Sequence, residues 1–320
     1  MQMQEIDSLR ALLPRGRTLF PYFKDKYSLQ LLRYALPRPT AVAALRGHAA
    51  AQLLQKPALR ALLAGCGGML DRATVDAAWL PGMLQPEHYT LSLGVWGNGR
   101  WRAAQTSRRG ANLVLQLNFN HGHNRAFGRL VRPHGGEDPF NAWGHPALRD
   151  PTAPEPRYTL AWARLDVDFE RGEALIEELQ TDWLRRAARV RDNALRLDDA
   201  TFARRYQRSF GGSRADVVAY HDRHLAPHRP LWDEALLAAT LFFLREELGI
   251  ADIWMHTPRS GVLLKDIRHG AAPPVSVYSS LPQRFCFRPG TTLPAFLAAD
   301  RSVLRRLRRA EGVQLLKFSL

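Results

Sequence analysis

The clearest pattern of hydrophobic and polar positions lies between residues 158 and 183, YTLAWARLDVDFERGEALIEELQTDW. Two runs with apolar residues at alternate positions flank the turn sequence Glu170-Arg171-Gly172-Glu173. Such alternation is typical of strands that bury one face, and a short turn between two of them joins them into a hairpin. The pattern therefore predicts a β-hairpin at the centre of the chain.

The second strand of this hairpin carries an unusual row of polar residues. Strict alternation places Leu175 and Leu179 on one face of the strand and Ile176 on the other. The Ile176 face then continues with three polar residues, Glu178, Gln180 and Asp182. Burying polar groups is costly unless they are solvated, paired or used for binding or chemistry. We therefore predict a functional site here, with a satisfied hydrogen-bond network that joins the strand to the following helix at Trp183 as the alternative.

The rest of the chain divides into three predicted regions. Residues 1–86 contain short amphipathic segments separated by prolines, which predicts a helical N-terminal region. Residues 87–290 mix strand and helix patterns, and the irregular stretch 120–156 is too long for an ordinary connection, so we predict an insertion there. Residues 291–320 predict a basic amphipathic helix and an apolar tail. The predicted fold class is α+β, with a mixed, mainly antiparallel sheet flanked by helices.

A helix followed by a strand is predicted over residues 230–256. The helix is apolar on most of its surface and Gly249 ends it, after which a short apolar run predicts a buried strand. This strand places His256 at its C-terminal end, which is where α/β sheets tend to hold their ligands. His256 is therefore a second candidate site residue.

The charge balance is strongly basic. The chain has 45 lysines and arginines against 30 acidic residues, a formal net charge of +15. Such a surface attracts polyanions, so an anionic ligand or nucleic acid is an expected partner. The densest positive stretch follows Trp183 and begins with Arg185 and Arg186. No segment approaches the roughly 20 apolar residues that a membrane span needs, so no membrane insertion is expected.

The cysteines and histidines predict neither a disulfide framework nor a metal site. Cys66 and Cys286 are far apart in apolar surroundings, which fits a reducing compartment and predicts a cytoplasmic location. The 120–156 stretch contains histidines without the spacing of metal ligands, His121, His123, His134 and His145.

Two resemblances add to this picture, and the first concerns the sequence ALIEELQTDW, residues 174–183. It is similar to an "IEEIQSDW" signature of an uncharacterised domain in large phage-encoded polyvalent proteins. The likeness covers about residues 107–260. It implies a family relationship and no particular activity.

The second resemblance is to the GNAT acyltransferase superfamily. It rests on the order of elements from 158 to 287 and on Tyr278-x-x-Leu-Pro-x-x-Phe-Cys-Phe, which stands where such enzymes have a tyrosine before a Gly-Phe turn. It implies that acetyl-CoA or another acyl-CoA binds where the fourth strand splays from the fifth. It further implies Glu178 as the general base toward an amine and Tyr278 as the general acid for the thiolate, with His256 able to supply the base.

The resemblance also implies a set of ligand-binding residues after the fourth strand, namely Gln180, Asp182, Trp183, Arg185 and Arg186. Enzymes of this superfamily bind the pyrophosphate there with a Gln/Arg-x-x-Gly-x-Gly/Ala turn. The sequence at that place is Thr181-Asp182-Trp183-Leu184-Arg185-Arg186, which contains no glycine. An acidic residue at this turn repels phosphates unless Arg185 and Arg186 outweigh it.

Two other functions fit the same residues. Asp166 and Asp168 on the first strand, with Glu178-x-Gln180 on the second, resemble the Asp...Glu-x-Lys arrangement of restriction-nuclease-like folds, which implies a Mg²⁺-dependent nuclease. The basic surface also fits a non-catalytic module that binds nucleic acid. The sequence leaves these alternatives open.

Overall fold

The computed structural model describes residues 1–12, 18–79, 86–97, 105–134, 138–142, 144–147, 158–265, 267, 275–310 and 312–320. Within these ranges no helix has the length and apolar character that a membrane span requires.

Ten strands form in the described residues, and eight of them belong to one curled sheet. The strands are β1 (Thr18–Tyr22), β2 (Thr40–Ala41), β3 (Met69–Leu70), β4 (Glu87–Trp96), β5 (Asn112–Asn118), β6 (Thr159–Asp168), β7 (Glu173–Gln180), β8 (Asp252–His256), β9 (Phe287–Pro289) and β10 (Leu315–Phe318). Their order across the large sheet is β1-β4-β5-β6-β7-β8-β10-β9, while β2 and β3 pair separately. Among the strands in the described residues, only β7 and β8 pair in parallel. The predicted mixed, mainly antiparallel sheet is confirmed.

Helices cover both sides of this sheet. They are α1 (Met3–Leu12), α2 (Lys26–Ala35), α3 (Val42–Leu45), α4 (Pro57–Gly65), α5 (Arg72–Trp79), α6 (His121–Leu130), α7 (Trp183–Arg196), α8 (Asp199–Tyr206), α9 (Arg214–Ala219), α10 (Trp232–Phe242), α11 (Pro258–Leu264), α12 (Val275–Tyr278), α13 (Ser280–Arg284), α14 (Ala295–Ala298) and α15 (Arg301–Leu307). A 3₁₀ segment spans Ala49–Gln55, and α9 and α10 continue as π-helical turns over Tyr220–His224 and Phe243–Glu247.

The main core lies on one face of the large sheet. Leu115, Leu165 and Ile176 point to this face, where they pack with the apolar side chains of α10 and α2. Helix α10 is buried along almost its whole length because its residues are apolar on every side. On the opposite face the described residues form two smaller apolar clusters, and polar side chains gather on this face.

The two ends of the chain belong to this same sheet. The N-terminal region is mainly helical, but it also supplies β1, which pairs with β4. The chain's last strand, β10, inserts between β8 and β9. Part of the 120–156 stretch, which we predicted to be irregular, is the regular helix α6.

The predicted hairpin forms with strands β6 and β7, but the predicted faces of β7 are wrong. The pairing register shifts because Arg164 lies opposite Glu178 while the next residue, Leu165, lies opposite Ile176. Glu177 is thus the extra residue of a β-bulge, and every side chain beyond it changes face. Ile176 and Leu179 therefore share the main core, and Leu175 packs on the opposite side.

Candidate functional site

The bulge gathers charged residues on the polar face of β6 and β7. Arg164 and Trp162 of β6 lie opposite Glu178 and Gln180 of β7, and the bulge adds Glu177 beside them. A strand without a bulge would alternate these carboxylates between the two faces. The bulge therefore lets two consecutive glutamates lie near one another on the side away from the main core.

The parallel pairing of β7 and β8 ends at the same point. It runs from Glu173 to Ile176 on β7, and β8 itself ends at His256, one residue after its last paired residue, while β7 continues to Gln180. Beyond Ile176, side chains contact the unpaired backbone edge of β7. Lys265 Nζ donates to the Glu177 carbonyl at 3.1 Å, and the Leu179 N–H donates to Tyr278 Oη at 3.2 Å. This unpaired edge of β7 beyond the end of β8, which we call the gap, is thus lined by an ammonium group and a phenol.

Glu178, the predicted general base, is held by two cations. Arg164 donates to its carboxylate, and Lys265 Nζ lies 3.6 Å from the same oxygen. Burial by itself raises the pKa of Glu178, but the charges of Arg164 and Lys265 outweigh burial and lower it. The side chain is 16% exposed. A carboxylate with a lowered pKa is a weak proton acceptor, so this environment disfavours Glu178 as a base.

His256, the alternative base, is enclosed in a network with Glu177 and Ser107. Its Nε2 lies 3.1 Å from Glu177 Oε2 and 3.0 Å from Ser107 Oγ, and these two oxygens are 2.9 Å apart. Its Nδ1 contacts Ser260 Oγ at 3.1 Å. The ring is fully buried, so neither ring nitrogen is open to a substrate.

This network is not an accessible nucleophilic triad. Glu177 on Nε2 and Ser260 on Nδ1 place a carboxylate and a hydroxyl on opposite nitrogens of His256, as a triad does, but Ser260 is fully buried and its Oγ accepts the Thr257 N–H at 2.9 Å in the cap of α11. Burial alone raises the pKa of Glu177, yet its hydrogen bond to His256 and the charges of His256, Arg164 and Lys265 lower it to about 2. We interpret the network as a structural tie between the segment at Ser107 and strands β7 and β8.

Tyr278, the predicted general acid, is buried beside the gap. Burial and the nearby Glu178 carboxylate raise its pKa above the ordinary value. Its oxygen accepts the Leu179 N–H, and among the described residues no acceptor takes its own hydrogen. Tyr278 is therefore suited to donate a hydrogen bond, but burial makes full loss of its proton costly.

Asp182, predicted to bind ligand, is the orienting partner of a histidine. Its buried carboxylate lies 2.7 Å from His145 Nδ1 and accepts hydrogen bonds from three further side chains, Trp162 Nε1 (3.5 Å), Gln180 Nε2 (2.9 Å) and Arg185 Nη2 (2.7 Å). Burial alone raises the pKa of Asp182, whereas the hydrogen bonds from His145 and Gln180 and the charge of Arg185 lower it. The carboxylate is therefore anionic and fixed in orientation.

The remaining predicted ligand residues fall in different places. Gln180 and Arg185 join the Asp182 network. The Trp183 indole lies in the main core, where it donates to Tyr220 Oη at 2.7 Å. Arg186 donates to the Asn141 carbonyl at 2.9 Å. Only Gln180 and Arg185 of this set therefore lie with Asp182 on the polar side of the sheet.

The sequence analysis did not identify Arg164 or His145 as site residues. Arg164 is fully buried with its guanidinium 4.7 Å from the Trp96 ring, and no described residue accepts from its Nε or Nη1. His145 is 37 residues from Asp182 in sequence, so no local pattern connects them. An arginine in the middle of an apolar strand was the available signal for Arg164, because a buried cation needs partners.

A Mg²⁺ site is not supported by the described residues. No group of three or more His, Cys, Asp or Glu among them has the arrangement to hold a metal ion. Asp166 is instead bound by Arg108 through two hydrogen bonds of 2.6 and 2.9 Å, and Asp168 pairs with Arg171 at 3.0 Å. Asp166, Asp168 and Glu178, the residues of the nuclease alternative, are thus each paired with an arginine and do not form a metal site in the described part of the chain.

Comparison of the chain with protein-family models, with curated proteins and with solved structures found no match. The inference of function therefore rests on the geometry of the gap and its surroundings. That geometry offers a backbone N–H and a phenol at the gap, two buried cations, and a carboxylate-bound histidine nearby.

Proposed function

We propose that the chain is an acyltransferase-like enzyme of GNAT type, which moves an acyl group from a phosphorylated thioester donor such as acetyl-CoA to an amine. The donor binds beyond the point where the pairing of β7 and β8 ends. The end of the parallel pairing at Ile176, with Leu179 N–H and Tyr278 Oη in the gap beyond it, carries the proposal. From β4 onward the strands follow chain order across the sheet, except that β10 lies between β8 and β9, and this order supports the proposal.

The Leu179 N–H supplies the central interaction with the donor. It is fixed by the strand and already donates to an oxygen, Tyr278 Oη. A thioester carbonyl oxygen that takes the place of that phenol oxygen accepts the same N–H, and preorganised donors of this kind stabilise the oxyanion of acyl transfer. The phenol of Tyr278 then donates a hydrogen bond to the departing sulfur.

Two arginines near the gap complement an anionic donor, Arg185 and Arg186 in the first turn of α7, the helix that follows β7. Lys265 and Arg164 are instead balanced by Glu178 and Glu177, so these four residues carry no net charge. We assign Glu178 the role of holding Lys265 and Arg164 in place, because their charges lower its pKa.

The test is binding and consumption of acetyl-CoA by the full chain. A ligand at about 100 times its Kd adds about 2.7 kcal/mol to the free energy of unfolding, which a thermal unfolding curve detects. Turnover is followed by the loss of thioester absorbance. A reagent that detects the released thiol is avoided, because it would also react with the partly exposed thiol of Cys66. We expect Tyr278→Phe to slow turnover and His88→Gln, an exposed position on β4, to leave it unchanged. Absence of both stabilisation and turnover contradicts the proposal.

A second candidate, non-catalytic binding of nucleic acid, is favoured by one observation. A group of exposed arginines on and after α7 and α8 forms no ion pair with a described carboxylate, namely Arg189, Arg196, Arg204, Arg205 and Arg208. If three of them contact phosphates of duplex DNA, replacing them makes the slope of log K for DNA binding against log salt less steep by about 2.7. A triple variant with Arg204, Arg205 and Arg208 changed to Gln is compared with a control variant in which the exposed Arg38, Arg46 and Arg60 are changed to Gln. Equal slopes contradict this function.

A further inference from the structure

We propose that His145, oriented by Asp182, is the base that removes the proton from the attacking amine. This inference rests on the proposed function, since it names the catalytic base of that reaction. The role of general base was expected for Glu178 or His256, and the contacts of both residues disfavour it. His145 meets the requirements that they do not.

The first requirement is an imidazole fixed in one orientation. His145 Nδ1 lies 2.7 Å from the Asp182 carboxylate, which is fully buried. A contact this short to a carboxylate assigns the ring hydrogen to Nδ1, so that Nδ1–H donates and Nε2 keeps its lone pair. The stacked rings of Trp96 and Trp162 lie edge-on to the imidazole, with centroids 5.9 and 5.5 Å from it.

The second requirement is an accessible nitrogen. The His145 side chain is 29% exposed, whereas His256 is fully buried. No described residue forms a hydrogen bond with His145 Nε2. The hydrogen bond to Asp182 is made by Nδ1, and Gln180 Nε2 lies 3.2 Å from the same nitrogen. A carboxylate on one ring nitrogen and an open lone pair on the other is the arrangement that general bases use.

The third requirement is proximity to the gap. His145 contacts Gln180, which lies on the same face of β7 as Glu178 and follows it by two residues. The pairing of β7 and β8 ends at Ile176, and Gln180 directly follows Leu179, the residue whose N–H is proposed to bind the thioester carbonyl. Consecutive residues of a strand are about 3.4 Å apart along its axis, so the contact with Gln180 places His145 beside the residue next to that N–H.

The proposed step is balanced. The amine nitrogen attacks the thioester carbonyl carbon and forms the C–N bond, and the C–S bond breaks with its electron pair leaving on sulfur. One N–H proton passes from the amine to His145 Nε2, and Asp182 stabilises the imidazolium. The thiolate leaves with a hydrogen bond from Tyr278, and solvent takes the proton from His145 afterwards. Asp182 touches no reacting atom, so it is a positioning residue.

The first arm of the test examines the pair itself and needs no substrate. ¹⁵N NMR of the imidazole rings reports which ring nitrogen carries the hydrogen. The His145 signals are assigned as those that disappear in His145→Gln. We expect hydrogen on Nδ1 of His145 in the native chain and a change in its ring signals in Asp182→Asn. Hydrogen on Nε2, with no response to Asp182→Asn, overturns the inference whether or not acetyl-CoA binds.

The second arm measures consumption of acetyl-CoA with n-butylamine or water as the acceptor. General base catalysis contributes about 10²–10⁴-fold to rate, so His145→Gln should lose that factor while His88→Gln keeps the full rate. Added imidazole should restore part of the rate of His145→Ala and none of any rate lost in Glu178→Ala. Undiminished turnover in His145→Gln overturns the inference, as does binding of acetyl-CoA without turnover. Failure to bind acetyl-CoA overturns the proposed function, and the NMR arm identifies that case separately.

Discussion

The change Glu177→Gln tests the interpretation of the buried network most sharply. Glutamine keeps the shape of the side chain and removes its charge. In the native chain the carboxylate accepts from the Ser107 N–H and Ser107 Oγ, both at 2.9 Å, and contacts His256 Nε2 at 3.1 Å. A glutamine keeps one acceptor oxygen for the Ser107 N–H, and its amide group replaces the charged oxygen that faces Ser107 Oγ and His256 Nε2.

The expected loss follows from the pKa of Glu177. Its neighbours lower the pKa from 4.5 to about 2. At about 1.4 kcal/mol for each pKa unit, the charge of Glu177 contributes about 3 kcal/mol to the free energy of unfolding at neutral pH. Because the folded pKa is the lower one, this contribution is complete above about pH 4.5 and is lost as the pH falls toward 2.

The assay is urea unfolding of the native chain and of Glu177→Gln at a series of pH values. We expect the variant to be less stable by about 3 kcal/mol at pH 7, with an unchanged dependence on urea, and the two curves to converge as the pH approaches 2. A difference below about 0.5 kcal/mol at pH 7, within the range of ordinary surface substitutions, refutes the reasoning. A difference that stays constant between pH 7 and 3 also refutes it, because it then does not come from the charge.

Three further predictions concern other parts of the core. Burial lowers the pKa of His228 from 6.5 to about 4. As the pH falls between these values the unfolded chain takes up the proton first, so the native chain should lose about 3 kcal/mol of stability, and His228→Gln should flatten that loss in unfolding curves. An unchanged dependence of stability on pH contradicts this prediction. Tyr220→Phe leaves the buried Trp183 N–H without its acceptor at 2.7 Å and should cost about 1–3 kcal/mol in urea unfolding, and a cost near zero would show that the indole finds another partner. A Cβ added at Gly212 would lie 2.6 Å from the Leu130 carbonyl oxygen, so Gly212→Ala should lower the free energy of unfolding by about 1–3 kcal/mol. Gly128 has open space around it inside α6, so Gly128→Ala should raise the free energy of unfolding by about 0.5–1 kcal/mol. If thermal unfolding ranks the two variants in the opposite order, the packing described for Gly212 is contradicted.

Local patterns predicted the elements whose burial is regular. The hairpin of β6 and β7 and the helix before β8 follow from alternation and from the Gly249 end signal, because both lie against one continuous apolar core. The fold class was also predictable, since the mixture of strand and helix patterns is preserved in the sheet. Strand β1 was not predicted, because its buried rings, Phe20 and Tyr22, follow a helical region and pair only with the distant β4.

The candidate site was less predictable because tertiary contacts determine it. Strict alternation assigned Leu175 and Leu179 to one face, and a single extra residue at Glu177 reversed everything after it. Alternation does identify Glu178 and Gln180 as neighbours, since both lie beyond the bulge. The partners that define their chemistry, Arg164 and His145, come from other segments, and only the folded chain brings them together.

The most direct test of a donor site at the gap beyond the end of β8 is amide hydrogen exchange of the full chain with and without acetyl-CoA. We predict slower exchange in peptides that cover residues 176–184 and 275–282, because these line the gap, and no change in peptides from β1 or β4. Slower exchange confined to α7 and α8 beyond residue 189, or no change at any peptide, contradicts the proposed acyl transfer site.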